Sequence, residues 1–405
     1  MSVTSRCPMA EGTVPIIDDD PFSAEVLEDP LPFQERLREA GPVAFLSRYG
    51  VYAIGRFAEL SDALCAWQDL KSGDGVSIRE LDSPKGLLQT DPPLHDAPRE
   101  VLQEILSARA LRGLRETCMA RVDTLVDGLL ADSSSGDSLA VDGHAQIAAM
   151  LPVDFFPDAS GVDECARDKF VEFADHNFNT AGPYNDLVKA GERRAPELAA
   201  WLYQKCQREE LKSEGFGADI WAAADRGDIL HENAALLGSS LITAGVDTTI
   251  YGISGLLYAL ATNPEQWEKL KANPSLARVA FDEALRWVSP VQAMFRTAAR
   301  DFEVGGITIP EGSKVLMCYP AANRDPRRWE DPDKFDLSRD PSGHLAFGMG
   351  VHQCVGQHAA RLQAACLLEK LLDTVDSIEL AGEVGYHHNN VLRGWSSVPL
   401  RFTLK

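Results

Sequence analysis

Residues 347–356 read FGMGVHQCVG and run directly into QHAARLQAACLLEKLL, whose apolar spacing predicts a helix over 357–373. Cys354 thus stands among Gly348, Gly350 and Gly356 at the mouth of a helix. Free N–H groups and the positive end of the helix dipole favour a thiolate there. Glycines let the turn take positive φ and let a flat, bulky group lie against the backbone. That combination suits a metal-ligating thiolate tuned by backbone amides. A buried structural cysteine in a glycine-rich turn is the plainer alternative. A cysteine nucleophile is a third, although no histidine–acid arrangement accompanies it.

The remaining bulk properties narrow the class. The 405 residues carry a net charge of −22, which argues against binding a phosphate backbone, and no long basic run offsets it. The first thirty residues are acidic and proline-rich, without the apolar core of a signal peptide, and are expected to wrap the surface. No apolar run has the length of a membrane span, so a cytoplasmic protein is expected. The eight cysteines are scattered without a C-x-x-C pair, which fits neither a zinc site nor a disulfide scaffold.

Helical periodicity dominates the chain. Helices are predicted over Pro98–Ser107, Leu111–Asp132, Glu164–Ala181, Pro196–Glu209, Asn233–Ala261, Glu265–Ala272 and Leu276–Trp287. GPVAFLSRYGVYAIGRF reads as two strands around Tyr49-Gly50, and SIELAG as another. After Pro290, FEVGGITIPEGSKVLMCY carries hairpin chemistry at Gly305-Gly306 and at Glu311-Gly312. YHHNNVLRG and SVPLRFTL are read as a C-terminal hairpin-like pair. The irregular stretch 322–350 is long enough to imply a function. The expectation is a mainly α (α+β) helical bundle with small peripheral sheets, in one domain spanning 1–405.

Three further features carry chemistry. AGVDTT, Ala244–Thr249, interrupts an otherwise apolar helix with an acid and two threonines. A threonine hydroxyl can bond the carbonyl one turn back and bend the helix, leaving a polar notch; a solvent-facing acid at a bend is the alternative. EALR places Glu283 and Arg286 three apart on one helix face as an ion pair, which on a surface would count for little. His95 and Arg99 open one helix, and Arg296 lies on an extended segment. Singly, each would be an ordinary surface charge.

The pattern F-G-x-G-x-H-x-C-x-G from Phe347 to Gly356 resembles the haem-binding loop of the cytochrome P450 family, and AGVDTT and EALR resemble two further family motifs in the right order. The resemblance covers nearly the whole chain. It implies that Cys354 is the axial ligand of haem b, cradled by Phe347, Gly348, Gly356 and Ala244. It implies that His95, Arg99, Arg296 and His352 bind the two propionates. Thr248 would order bound dioxygen and Asp247 would feed protons. Glu283 and Arg286 would be buried and joined to the loop before the cysteine through Asn323 or Arg328.

Other stretches, among them NFNTAGPYNDL and SPVQAMFRTAARDFEVGG, resemble the bacterial branch that oxidises para-substituted benzoates, 4-methoxybenzoate especially. By that likeness Phe178, Ala181, Ser240, Thr243, Ala244, Val291, Met294 and Trp395 line the pocket. That branch holds the carboxylate with an arginine and serines in the loop before DPP. Here the loop reads SGDGVSIRELDSP, with Asp74 in the arginine's place, and the long helix offers Ser239-Ser240 without an arginine. An Asp facing a benzoate would repel it. Arg79 or Ser77 is then the candidate to compensate, and a neutral methoxyphenol is the competing substrate. The implied reaction is hydroxylation or O-demethylation with O2. Electrons would come from an acidic iron–sulfur ferredoxin and its NADH-dependent reductase, docking on Arg99, Arg109, Arg112, Arg115, Arg327, Arg328 and Arg361. A peroxide-driven enzyme of the same fold would replace the acid–alcohol pair, and a haem-binding sensor or carrier would not need it.

Overall fold

The computed structural model describes residues 14–81, 84–131, 137–163 and 166–405. The predicted helix end at Asp132 and start at Glu164 fall outside them. The other predicted helices are present within a few residues, as Asp96–Ile105, Arg115–Ala131, Arg167–Asn179, Ala195–Lys205, His231–Thr262, Pro264–Ala272 and Ala277–Val288. Residues 110–114 form a 3-10 turn before the second of these, and Gln357–Thr374 is the helix behind Cys354.

The organising element is the long helix His231–Thr262, 32 residues and thus about 48 Å at 1.5 Å per residue. It is apolar on nearly every side, so it must be buried on nearly every side. Helices Met150–Ala159, Arg167–Asn179, Phe216–Arg226 and Ala277–Val288 pack around it. Gly245 is what lets the first of these close in, because a Cβ there would lie 2.6 Å from the Phe156 ring. Six residues further along, Gly394 does the same for the ring of Tyr251, which a Cβ there would overlap.

The sheets are peripheral. One has six strands in the order Ile16–Ile17, Ala44–Leu46, Val51–Ile54, Lys314–Cys318, Ala293–Ala298, Leu70–Lys71. The acidic N-terminal segment therefore enters the structure as an edge strand, and the Tyr49-Gly50 hairpin forms as predicted. Gly305-Gly306 also turns a hairpin, Phe302–Val304 against Ile307–Ile309.

Two predicted pairings differ. Glu311-Gly312 joins strands that do not pair, because the Gly312 N–H bonds to Ala298 O at 2.8 Å and folds the turn onto a neighbouring strand. YHHNNVLRG is not one strand of a pair but a hairpin itself, Gly385–His388 against Arg393–Ser397. Asn389 makes its turn, with Oδ1 accepting from the Val391 and Leu392 N–H groups at 3.1 Å each. Pro399–Leu404 leaves to lie between Val375–Leu380 and Ser138–Asp142.

Candidate active site around Cys354

Two 3-10 turns, Leu345–Phe347 and Gly350–His352, lead to the cysteine, whose N–H bonds to Phe347 O at 2.7 Å. Gly348 and Gly350 have φ of +65° and +73°, and a Cβ on Gly350 would meet Leu64 O at 2.6 Å. Both glycines answer a geometric demand of the loop. Desolvation pushes the Cys354 thiol up, while the N–H groups of Gly356 and Gln357 and the charges of Arg99 and Arg361 favour the thiolate. The Arg361 guanidinium also lies over the Phe347 ring, 4.7 Å from its centre.

The loop hangs from a fully buried ion pair. Arg286 donates through Nε and Nη2 to Glu283 at 2.7 and 2.8 Å. Its remaining hydrogens go to the carbonyls of Asn323, Pro332 and Lys334 at 2.8, 2.8 and 3.0 Å. Glu283 Oε1 also accepts from Asp336 N–H and Arg339 Nε, each at 3.1 Å. Asn323 Oδ1 then accepts from Leu345 N–H at 2.7 Å, the first residue of the turn before the cysteine. Of the two predicted connectors, Asn323 makes the join. Arg328 instead stacks on Phe57 and Trp329, because its chain position points it outward. Arg339, in the irregular stretch and without any periodic signal, was not foreseen.

The predicted cations gather near the loop. His95 and His352 pack edge to face with ring centres 4.7 Å apart, and the Nε2 of each is buried without a hydrogen-bond partner. Burial pushes His352 down to about 4, with the charges of Arg296 and His95 adding to the effect. Arg296 is 4% exposed, and its Nη1 donates to Phe295 O at 2.7 Å. One turn beyond His95, Arg99 has an unpartnered, buried Nε and acts on Cys354 through its charge. Asp91 is the nearby acid, 3.6 Å from His352, and it already accepts from the N–H groups of Ser72 and Gly73. A buried set of donors this short of acceptors fits the two carboxylates of a haem, and the cysteine on the same loop fits its iron.

On the long helix, Thr248 Oγ1 donates to Ala244 O at 2.7 Å, the expected back-bond, and the helix continues unbroken. Ala244 presents an exposed face beside it. Asp247 is 1% exposed, and neither carboxylate oxygen has a partner. Burial, and secondarily the nearby Asp175, hold its carboxyl well above the usual range, so it favours the neutral acid.

Four of the eight predicted pocket residues, Phe178, Ala181, Val291 and Met294, lie on segments joined by a ring of hydrogen bonds. Asn390 N–H and Nδ2 bond to Asn179 Oδ1 and O at 2.9 Å each, next to Phe178. Gln292 N–H bonds to Val391 O at 2.7 Å, and Val291 bridges Leu392. Phe295 N–H, beside Met294, bonds to Val76 O at 2.9 Å, and Ile78 N–H closes the ring on Ala181 O at 2.9 Å. Ser240 and Thr243 belong to the long helix, where Thr243 Oγ1 bonds Ser239 O at 2.8 Å and Ser240 Oγ faces Gly86. Trp395 stands apart. It packs on Tyr258, ring centres 5.0 Å apart, and lines a separate cavity of about 230 Å³ with Trp287, Tyr386 and Arg393. Tyr258 lies ten residues beyond Thr248 along the long helix, which carries Trp395 away from the notch.

The anchor loop also differs from expectation. Asp74 is exposed, and its backbone carbonyl accepts from Lys314 Nζ at 2.8 Å and Thr297 Oγ1 at 3.2 Å. It sits at a sheet edge, because the turn of Gly75 at φ +105° carries it away from Val76 and Ser77. Ser77 Oγ is spent on Arg79 O at 2.6 Å. Arg79 lies 4.9 Å over the Tyr184 ring, with its Nε buried and unpartnered.

Comparison with known proteins agrees with this geometry. The cytochrome P450 family model matches residues 204–377. Cytochrome p450 CYP199A2 of Rhodopseudomonas palustris is 43% identical over 396 residues, covering 96% of this chain and 95% of its own. The chain belongs to the cytochrome P450 family. This P450 is also 31% identical to cytochrome P450-terp of a Pseudomonas species, over 82% of this chain and 79% of that one. Cytochrome P450 CREJ in complex with (4-ethylphenyl) dihydrogen phosphate superposes with a TM-score of 0.85 at 28% identity, covering 95% and 99% of the two chains. The P450 is accordingly a haem-thiolate monooxygenase. Among its described residues no helix is long and apolar enough to cross a membrane.

The ion pair yields a stability prediction. Glu283→Gln leaves the Arg286 guanidinium buried without its counter-charge, which costs about 3–5 kcal/mol. Denaturant unfolding of the variant should show that loss, and a change below about 1 kcal/mol would contradict the role given to the pair.

Proposed function

We propose that the protein inserts one atom of O2 into a small para-substituted aromatic substrate, hydroxylating it or removing an O-methyl group. The observation that carries this reading is the unpartnered Asp247 beside the back-bonded Thr248, one face of a helix from Ala244. Bound haem supplies the binding and reduction of dioxygen by electrons delivered singly. Cys354 would be its axial thiolate, steadied by the Gly356 and Gln357 N–H groups. His95, Arg99, Arg296 and His352 would hold its carboxylates, and Phe347, Gly348 and Gly356 would shape the loop against it. Asp247, neutral by burial, holds a proton at its carboxyl and can pass it on. The Thr248 hydroxyl orders what binds beside it. The protein would work in the cytoplasm as a single domain.

Two substitutions test this core. Cys354→His should abolish the strongly red-shifted Soret band of the reduced, carbon monoxide-bound protein. Thr248→Ala should bind substrate and accept electrons yet divert reducing equivalents to hydrogen peroxide. Unchanged coupling of NADH to product would remove Thr248 from its role.

For the substrate, a para-substituted benzoate is favoured, because Asp74 turns out to the surface and Arg79 holds an unsatisfied donor on the loop bonded to Ala181. The aryl phosphate bound by the P450 of the CREJ complex is likewise a para-substituted aromatic anion. Ser240 beside Gly86, with no arginine on that turn of the helix, favours the second reading, a neutral methoxyphenol. Titrating 4-methoxybenzoate and 4-methoxyphenol into the wild type and Arg79→Ala separates them. If Arg79 is the anchor, the acid loses roughly tenfold or more in affinity, the scale of one charged hydrogen bond, and the phenol does not change. Equal binding of the acid to both proteins would exclude Arg79.

The electron donor would be an acidic iron–sulfur ferredoxin with an NADH-dependent reductase. Of the seven arginines considered for its docking, Arg115, Arg327 and Arg361 are paired with Glu369, with Asp325 and Glu39, and with Asp282. Arg99 faces inward. Arg109, Arg112 and Arg328 are exposed and have no carboxylate partner among the described residues, which leaves them to form the patch. Reduction by such a ferredoxin should slow as salt screens the patch, and Arg112→Glu should slow it at low salt. A salt-independent rate would count against this surface.

A further inference from the structure

We propose that the cavity beside Trp395 is a second binding site, for a single-ring aromatic carboxylate, separate from the pocket beside Thr248. The cavity measures about 230 Å³, and its walls include Tyr258, Trp287, Tyr386, Trp395, Arg324 and Arg393. A void of roughly 150 Å³ admits a benzene ring, so this one has room for a ring and its carboxylate. Tyr258 lies ten residues past Thr248 on the same helix, about 15 Å along its axis. None of the residues assigned to the haem or to the Asp247–Thr248 notch lines it. Tyr258 packs on both indoles, with ring centres 5.0 Å from Trp395 and 6.1 Å from Trp287. Such flat, apolar walls suit a planar ring.

The charges on the wall decide what else the ligand carries. Arg324 is already satisfied: Nη1 donates to Asp333 at 2.7 Å, and Nε and Nη2 donate to Trp287 O at 3.1 and 2.7 Å. Glu28, also on the wall, is bound to His388 Nε2 at 3.0 Å. Arg393 differs. Its Nε is buried without a hydrogen-bond partner, and among the described residues its guanidinium forms no ion pair. Burial disfavours its charge, and Asp29, an exposed acid of the same wall, answers only through its field. Trp395 is 2% exposed, and its Nε1 likewise has no partner. A cation and two spare donors on aromatic walls call for an anion borne on a ring. An aromatic box with acids nearby could instead take a cation. Here, however, the Arg324 guanidinium already lies over the Trp287 ring, 5.2 Å from its centre, and Arg393 would repel a second positive charge. Nor does the hairpin need that charge to hold its place. Its ties at this point are main chain, Arg393 N–H to Pro290 O at 2.8 Å and the pairing of Arg393 with His388.

The test uses 4-bromobenzoate and the haem-loaded protein. Equilibrium dialysis counts every bound molecule, whereas the spin-state change of the haem counts only a molecule in the pocket beside Thr248. The difference between the two counts should be one per protein in the wild type, and anomalous scattering from the bromine should place that molecule against Arg393. Arg393→Gln should weaken the extra site about tenfold or more, the scale of one charged hydrogen bond. Trp395→Phe, which keeps a ring and loses Nε1, should weaken it about threefold. Arg393→Lys should retain most of the binding, and Asp29→Asn, which removes the competing acid, should tighten it. The neutral 4-bromotoluene should not occupy the site. Haem content and melting temperature matching the wild type establish that each variant is folded. No excess of bound acid in the wild type, equal affinity in Arg393→Gln, or equal binding of 4-bromotoluene would overturn the site. Because the spin-state change is read separately, its loss with the extra site intact would fault the substrate reading above and leave this one standing.

Discussion

The arrangement around Cys354 depends on the Arg286 guanidinium having somewhere to put all its hydrogens. Arg286 and Glu283 are both 0% exposed, and the five N–H groups of an arginine meet five acceptors. Burying an ion pair gains little by itself, but removing one partner leaves a desolvated charge. Three of the acceptors are backbone carbonyls between 323 and 334, so the same charge that must be satisfied also pins an otherwise irregular chain. Ser289 closes the helix immediately behind, at φ +50°, a conformation costly for a residue with a Cβ. Its hydroxyl accepts from Asn323 Nδ2 at 2.8 Å, which holds the turn and the loop together. The cysteine loop is thus positioned by an electrostatic necessity some sixty residues away in sequence.

The site is electrically divided. His95, Arg99, Arg296 and His352 gather on the cysteine side with Asp91 as their acid, while Asp247 lies buried on the long helix with neither carboxylate oxygen bonded. Each half is unfavourable alone, since unpaired groups are held out of water. The cationic half is relieved by a ligand bearing carboxylates, so a bound haem stabilises the fold as well as equipping it. The acidic half is relieved by protonation, which is the state from which a proton can be given. Cost and function here have the same origin.

How much of this was legible in the sequence follows from what kind of force sets each part. The helices were legible because apolar period is local information, and even Asn233–Ala261 against His231–Thr262 differs by two residues at one end and one at the other. The Cys354 loop, Thr248 and the Glu283–Arg286 pair were legible because fixed spacings encode them. Strand partners were not. Gly312 chooses Ala298 and Asn389 folds its own segment, both through single contacts that no period announces. Arg339 was invisible for the same reason, since it matters only through a residue more than fifty positions distant. Asp74 was misplaced because a loop of glycines fixes no direction until its φ angles are known.

This division also explains why the chemistry is easier to read than the substrate. The residues that would hold and feed a haem sit on the long helix, at the start of helix Asp96–Ile105, on strand Ala293–Ala298 and on a loop tied to a buried charge, and their spacing cannot drift without breaking those ties. The pocket frame is made of other material: residues 76–78, 179–181, 291–295 and 389–392 are ends and turns, joined by single backbone bonds and by the Asn179–Asn390 contact. Gly182 lets that contact close, since a Cβ there would lie 2.5 Å from Asn390. Such a frame can change its lining side chains without altering one bond in its ring, because the ring is almost wholly main chain. The substrate is therefore decided by side chains that hang from the frame, Phe178, Ala181, Val291 and Met294 among them, and by whether Arg79 leaves the face of Tyr184 for an incoming carboxylate.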